Sequence, residues 1–367
     1  MIAKSPTLHV FKIERDDTTH KELTRERVIS NAKRGISTGV LLDVNIVYAI
    51  RDVFLRNVSL DESGLNQFRD MLNSTLAGVV LSSAYQEVTH GIRNECRDMV
   101  NVFLSEFCNR PIDHSSSHLN LDSGDGSFVF KHDSGFAVEK IDLLLPYYYI
   151  SKINQLWLEL RDKPRIEIYK RFLNDVISEI DLVSAMDAEI AGYCFCNDQE
   201  TSKGQSGYSN DAASKIAVIR KNFLGITKKT KTLSGRLSTI HNSVRDIGYI
   251  NTTRFLDVQT VRKGELWVAT FDGKLAEVAK HFCTLSYEGL QKLHPIMALA
   301  PQMKNEVGII ERPYGINKQD YWQSVDEMNF KMYHERKDKD RGPVGDEFFE
   351  NIKICISNNI DSICSHY

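Results

Sequence analysis

Apolar positions fall in two patterns along this chain. Short unbroken runs bounded by polar or turn residues read as buried strands. Longer stretches with apolar residues three and four apart read as helices packed on one face. Strand-like runs occur at Leu8–Ile13, Val40–Leu42, Gly78–Ser82 and Glu265–Thr270. After the second run, Ile46, Val47, Ile50, Val53 and Phe54 keep helical spacing from Val44 to about Asn57, and 64–76 repeats the pattern. Ser82 or Ser83 can cap a further helix reaching about Phe107. Helical spacing returns over 140–195, interrupted at Pro146 and Pro164, then over 212–222 and 233–257. A last helix, Gly273–Phe282, starts at Asp272. This order predicts an α/β fold whose sheet is interrupted by a large helical insertion.

Two segments break both patterns. Residues 109–135 hold Pro111 and a cluster of Ser, His, Asp and Gly, and Asn197–Asp211 is polar and rich in Gly and Ser, so both read as connections. His114 and His118, with Asp113 and Asp122 nearby, have the spacing of a metal pair, but the surrounding serines favour a polar loop.

Composition narrows the picture. With 367 residues and 42% hydrophobic content, the chain can fill one large core or two modest ones. It carries no apolar stretch of membrane-spanning length, and its start lacks a secretory apolar region, so no membrane and a cytoplasmic setting are expected. Seven cysteines without a C-x-x-C pair suit reduced thiols. A net charge of −3 gives no global pull on nucleic acid, so such a partner needs a local basic patch. The acid-free run Arg220–Arg236, with Lys221, Lys228, Lys229 and Lys231, is the candidate; a solvated linker is the equal alternative. Tyr147, Tyr148 and Tyr149 could stack on bases, but a core role is favoured. No phosphate-binding loop, esterase elbow or zincin motif is present.

The candidate chemistry lies at the ends of two strand-like runs. Asp43 follows Val40-Leu41-Leu42, and Asp272 follows Val268-Ala269-Thr270-Phe271, each just before a helix. Carboxylates at the carboxyl ends of buried strands stand where open α/β sheets place ligands. Mg²⁺ and Mn²⁺ favour such oxygens, and a bound cation lowers the pKa of its water. Either acid alone could simply cap its helix.

Four segments in order, Leu41-Leu42-Asp43-Val44-Asn45, Ser82-Ser83-Ala84-Tyr85-Gln86-Glu87-Val88, Val244-Arg245-Asp246-Ile247 and Val268-Ala269-Thr270-Phe271-Asp272, resemble the motifs of PIN-like nuclease domains. The resemblance spans residues 39–95 and 235–285. It implies a parallel-sheet core in which Asp43 is the central ligand of Mg²⁺ or Mn²⁺, with Asp272 and Glu87 completing the shell directly or through water. Asp246 would hold a second cation or position water, with Asp187 as the alternative third acid, and Asn45 and Thr270 would support. The implied reaction is phosphodiester hydrolysis leaving a 5′-phosphate, on single-stranded or locally opened RNA or, second to it, DNA, in a toxin or defence role; an inhibitory or regulatory protein is a further candidate partner.

The corresponding division is an N-terminal extension, 1–38; a core from 39–110 and 233–295; a mainly helical insertion, 111–232; and a C-terminal extension, 296–367. Two other functions compete. A non-catalytic interaction module would use the insertion and tail as surfaces. A haloacid-dehalogenase-type phosphatase would use Asp43 as nucleophile, but that chemistry wants an acid where Asn45 stands.

Overall fold

A computed structural model describes residues 5–14, 21–81, 84, 87–88, 90–108, 128–138, 141–196, 210–225, 228–255, 264–284, 308–310, 320–336 and 345–367. The chain divides into two compact units. One comprises Met1–Glu14, Thr18–Gly126 and Tyr249–Lys280; the other comprises Arg15–Asp17, Ser127–Gly248 and His281–Tyr367.

The first unit is built on a four-stranded mixed sheet. Its strands are β1 (His9–Phe11), β2 (Ser37–Leu42), β3 (Gly78–Val80) and β4 (Gly264–Thr270), in spatial order β1-β4-β2-β3. β2 runs parallel to both β3 and β4, and β1 pairs antiparallel with β4. Its helices are α1 (Arg25–Lys33), α2 (Val44–Arg56), α3 (Leu65–Thr75), α4 (Arg93–Phe107) and α5 (Gly273–Ala279). The end of a long helix, Leu233–Phe255, joins this unit from Tyr249 onward.

Strand alternation sorts the side chains onto two faces. Val40 and Leu42 of β2, with Trp267 and Ala269 of β4, pack into the main core beside Ile46, Val47, Ile50, Phe68 and Phe103. Leu41 and Val268 point the other way and pack with Tyr249, Leu275, Phe11 and Val80. Both faces of β2 and β4 are therefore covered, which is why these strands read as unbroken apolar runs. Gly39 lies at the crowded centre, where an added Cβ would come within 2.9 Å of both Leu266 Cδ2 and Val80 Cγ2.

Chain order creates the functional edge. β2 crosses to β3 on one side through α2 and α3, whereas the next strand of the sheet, β4, lies on the other side of β2. The direction of strand addition reverses there, at the carboxyl ends of β2 and β4, the position where open α/β sheets usually bind ligands.

The opposite end of the sheet is tied by a buried polar network. Arg27 of α1 pairs with Glu14 (2.6 Å) and Glu265, and its guanidinium lies over Trp267, 4.8 Å from the ring centre. Asn31 Nδ2 donates to Thr38 Oγ1 (2.9 Å) and Glu265 Oε2 (2.5 Å). Burial alone would push the Glu265 carboxyl up, but the Arg27 hydrogen bond and charge, with Lys12, bring it below its usual value. Within the range expected to be an extension, residues 5–14 and 21–38 supply an edge strand and a helix fastened to the sheet.

The second unit is largely helical, with helices at Ile141–Leu160, Arg165–Ile180, Ala185–Phe195, Asn210–Phe223, Asp320–Arg336 and Asp346–Ser365. Its core includes Tyr147, Tyr148 and Tyr149, all buried. Tyr148 OH donates to Glu179 Oε2 (2.7 Å) and Tyr149 OH to Leu182 O (2.6 Å), so these rings belong to the interior.

Three expectations on organisation are corrected here. Beyond 296, the helix Asp346–Ser365 packs within the second unit rather than standing apart as an extension. Ile352, Ile356, Ile360 and Ile363 of the last helix are buried, and Asn359 donates to Ser151 Oγ at 3.0 Å. Pro146 lies inside the helix Ile141–Leu160 and does not interrupt it. The single helix expected from Ser82 or Ser83 to Phe107 is broken: Ala84 and Glu87 are helical, a short 3₁₀ turn follows at His90–Ile92, and α4 begins at Arg93. Gly91 favours that break, and Arg93 Nε donates to the Val88 carbonyl left outside α4 (2.9 Å).

Among the described residues, no helix is long and apolar enough to cross a membrane. Cys96, Cys108, Cys194, Cys196, Cys355 and Cys364 form no disulfide.

Candidate metal centre at the sheet edge

The register of β2 and β4 sets the centre. Leu42 pairs with Ala269, and the Asp43 N–H donates to Ala269 O at 3.0 Å, so Asp43 emerges level with Thr270. Asp43 is 5% exposed and occupies the N-cap position of α2, yet its side chain makes no capping hydrogen bond. The carboxylate instead collects side-chain donors. Thr270 Oγ1 donates to Oδ2 at 2.5 Å, and Asn45 Nδ2 reaches the same oxygen at 2.5 Å. Asn45 Oδ1 accepts from the Phe271 N–H (3.0 Å), which locks the amide between the two strand ends. Asn45 and Thr270 thus converge on one oxygen of Asp43.

Asp272 behaves differently. It is exposed, and its Oδ1 caps α5 by accepting from the N–H groups of Lys274 (2.7 Å) and Leu275 (3.2 Å). Its own N–H donates to Thr270 Oγ1 (2.8 Å), so Thr270 links both acids. Capping occupies only one of the two carboxylate oxygens. The ionisation of Asp43 is held back by burial first, and by the negative charge of Asp272. Thr270, the Val44 N–H and Tyr249 oppose this, and the net result is a raised pKa.

Glu87 is half-buried in the helical turn after β3. It meets Asp43 through a residue that the motif pattern does not contain. Tyr249 is 3% exposed, with its ring packed against Leu41, Val268 and Leu275 on the face that carries Asp43 and Thr270. Burial, followed by the charges of Asp43 and Glu87, pushes its pKa well above the ordinary phenol value, so it stays protonated. The hydroxyl stands close to both carboxylates but makes no well-formed hydrogen bond with any protein atom. His9 is a second addition. It sits opposite Thr270 on β1, and a Cβ at Gly273 would approach its Nε2 within 3.3 Å.

Neither candidate for the third acid belongs to the first unit. Asp246 belongs to the second unit and accepts from Asn222 Nδ2 at 3.0 Å. Asp187 belongs there too, buried in the helix Ala185–Phe195, where its N–H donates to the capping Ser184 Oγ (3.3 Å). Of the basic run, Arg220 and Arg236 are corrected from patch to interior. Arg220 is buried, stacked over Trp157, and Arg236 is buried with hydrogen bonds to Asn154 Oδ1 (3.0 Å) and Leu224 O. Lys228, Lys229 and Lys231 form a 3₁₀ turn in which Lys231 is exposed; the side chains of Lys228 and Lys229 lie outside the described residues. So do His114 and His118.

Among the described residues, no group of three or more His, Cys, Asp or Glu is gathered tightly enough to hold a metal ion. The donors at the sheet edge still suit a hard cation. They are all oxygens, and Mg²⁺ binds through one or two carboxylates while keeping several waters. The buried Tyr249 hydroxyl is directed at the same carboxylates. No family model, no curated protein and no solved structure matches this chain.

Proposed function

We propose that the first unit is a divalent-cation-dependent phosphodiesterase acting on nucleic acid, RNA in the first instance, with a core of the PIN-like kind. The observation that carries this reading is the state of Asp43. It is a buried carboxylate at the switch point of the sheet, excused from capping its helix and facing a second acid from the adjacent strand. A structural acid there would cap α2; this one is kept ionisable at a cost that a cation removes.

When bound, Mg²⁺ or Mn²⁺ supplies an activated water and neutralises charge on the phosphate. Asp43 and Asp272 are its direct ligands, and Glu87 completes the set directly or through water. Thr270 and Asn45 fix the Asp43 rotamer so that its oxygens need not reorganise. A phosphatase using Asp43 as nucleophile is disfavoured, because Asn45 cannot donate a proton as an acid and its amide is already engaged by Phe271 and Asp43.

The test is cleavage of 5′-labelled RNA and single-stranded DNA by the full chain with Mn²⁺, against EDTA, D43N and D272N. Metal-dependent cleavage that falls at least about 100-fold in both variants is expected, as for loss of metal-site residues. Wild-type protein that never cuts with either cation, or D43N that cuts as well as wild type, removes the proposal and leaves an interaction module.

A further inference from the structure

We propose that Tyr249 is a positioning residue of this cation site, its hydroxyl joining Asp43 to Glu87 and setting the geometry in which the cation is received. The inference rests on the reading of the sheet edge as a cation site, and adds a residue that neither the acidic motifs nor their spacing contain.

Placement comes first. Tyr249 lies on the long helix Leu233–Phe255, and its ring is clamped by Leu41, Val268 and Leu275. Leu41 and Val268 are two residues before Asp43 and Thr270 respectively, so by strand alternation all four share one face. The phenol stem therefore has little freedom to move, and its oxygen is delivered at one depth under the carboxylates. Interior packing makes this more restrictive than a solvent-facing lysine or serine would be.

Chemistry comes second. A phenol offers one proton and two acceptor lone pairs. With two carboxylates on either side, only one can take that proton, and neither does so here with good geometry. A cation drawn to Asp43 changes the balance. The hydroxyl would then donate to Glu87 and fix its orientation. Outer groups of this kind orient the ligands that touch a metal. A purely structural tyrosine would be replaced by phenylalanine without consequence, since the ring contacts are all apolar.

The experiment is calorimetric titration of the full chain with MnCl₂, for wild type, Y249F, D43N and E87Q, with thermal unfolding of each in EDTA. Y249F keeps the ring, so its unfolding temperature in EDTA is expected at or above that of wild type. Its Mn²⁺ dissociation constant is expected to rise about 10-fold or more. The Y249F/E87Q double variant should bind no more weakly than E87Q alone, because the two residues act through one link. A Y249F constant within about twofold of wild type, or fully additive losses in the double variant, overturns the role of Tyr249 while leaving the cation site intact. Wild type showing no D43N-sensitive uptake of Mn²⁺ overturns the site itself, and the phosphodiesterase reading with it.

Discussion

Burial and the charge of Asp272 both disfavour the ionised form of Asp43, and that has a measurable sign. A carboxyl whose folded pKa lies above its unfolded value binds more protons in the folded state between the two. Its ionisation therefore lowers stability as pH rises through that window, and the whole cost is present above it. D43N, with no charge to bury, should be more stable than wild type in EDTA at about pH 7, and the advantage should vanish near about pH 3, below the ordinary Asp value. Saturating Mn²⁺ should reverse the order, stabilising wild type by about 2.7 kcal/mol at 100 times its dissociation constant and D43N hardly at all. Thermal unfolding across pH, with and without Mn²⁺, checks all three statements. Asp43, Asp272, Asn45 and Thr270 were legible in the sequence because each sits at a fixed offset from an apolar run. Tyr249 was not. Its role depends on which way a helix faces when it reaches the sheet, and a lone tyrosine between Ile247 and Ile250 reads as core.

The elements that position these residues were readable in proportion to how fully they are buried. β2 and β4 are covered on both faces and stand out as continuous apolar runs. β1 is three residues long and half-buried, and what makes it part of the sheet is a non-local partner over two hundred residues away. The arginines at the ends of the basic run misled for a related reason: charge alone does not reveal that Trp157, Asn154 and the Leu224 carbonyl receive them inside. Within the sheet, the tightest point is Gly39, which faces Leu266 and Val80. An added methyl must push aside the Leu266 and Val80 side chains, so G39A should cost about 1–3 kcal/mol, the usual penalty for overpacking. Urea unfolding monitored by Trp fluorescence, with Trp267 in the adjacent strand, measures it. A midpoint unchanged from wild type would mean that the β2–β4 spacing is looser than described.

At the scale of the molecule, each unit draws on distant parts of the chain. The last helix of the second unit buries Ile352, Ile356, Ile360 and Ile363. Exposing a buried isoleucine costs about 1.5–3 kcal/mol, so losing four exceeds much of the 5–15 kcal/mol that holds a domain together. Truncation after residue 345 should therefore leave the second unit unfolded, seen as a loss of helical circular dichroism and rapid proteolysis between 141 and 248. Retained helicity in the shortened chain would show that the helix is dispensable.

The same discontinuity in the first unit has a consequence for biosynthesis. β4 lies between β1 and β2, yet it is the last strand of that sheet to leave the ribosome. At about 5–20 residues per second, roughly 10–40 s separate the emergence of β3 from that of β4. Throughout that interval β2 has one open edge, β1 has no partner, and Asp43 waits without Thr270 or Asp272. The acidic pair therefore exists only once translation has passed the strand that closes the sheet.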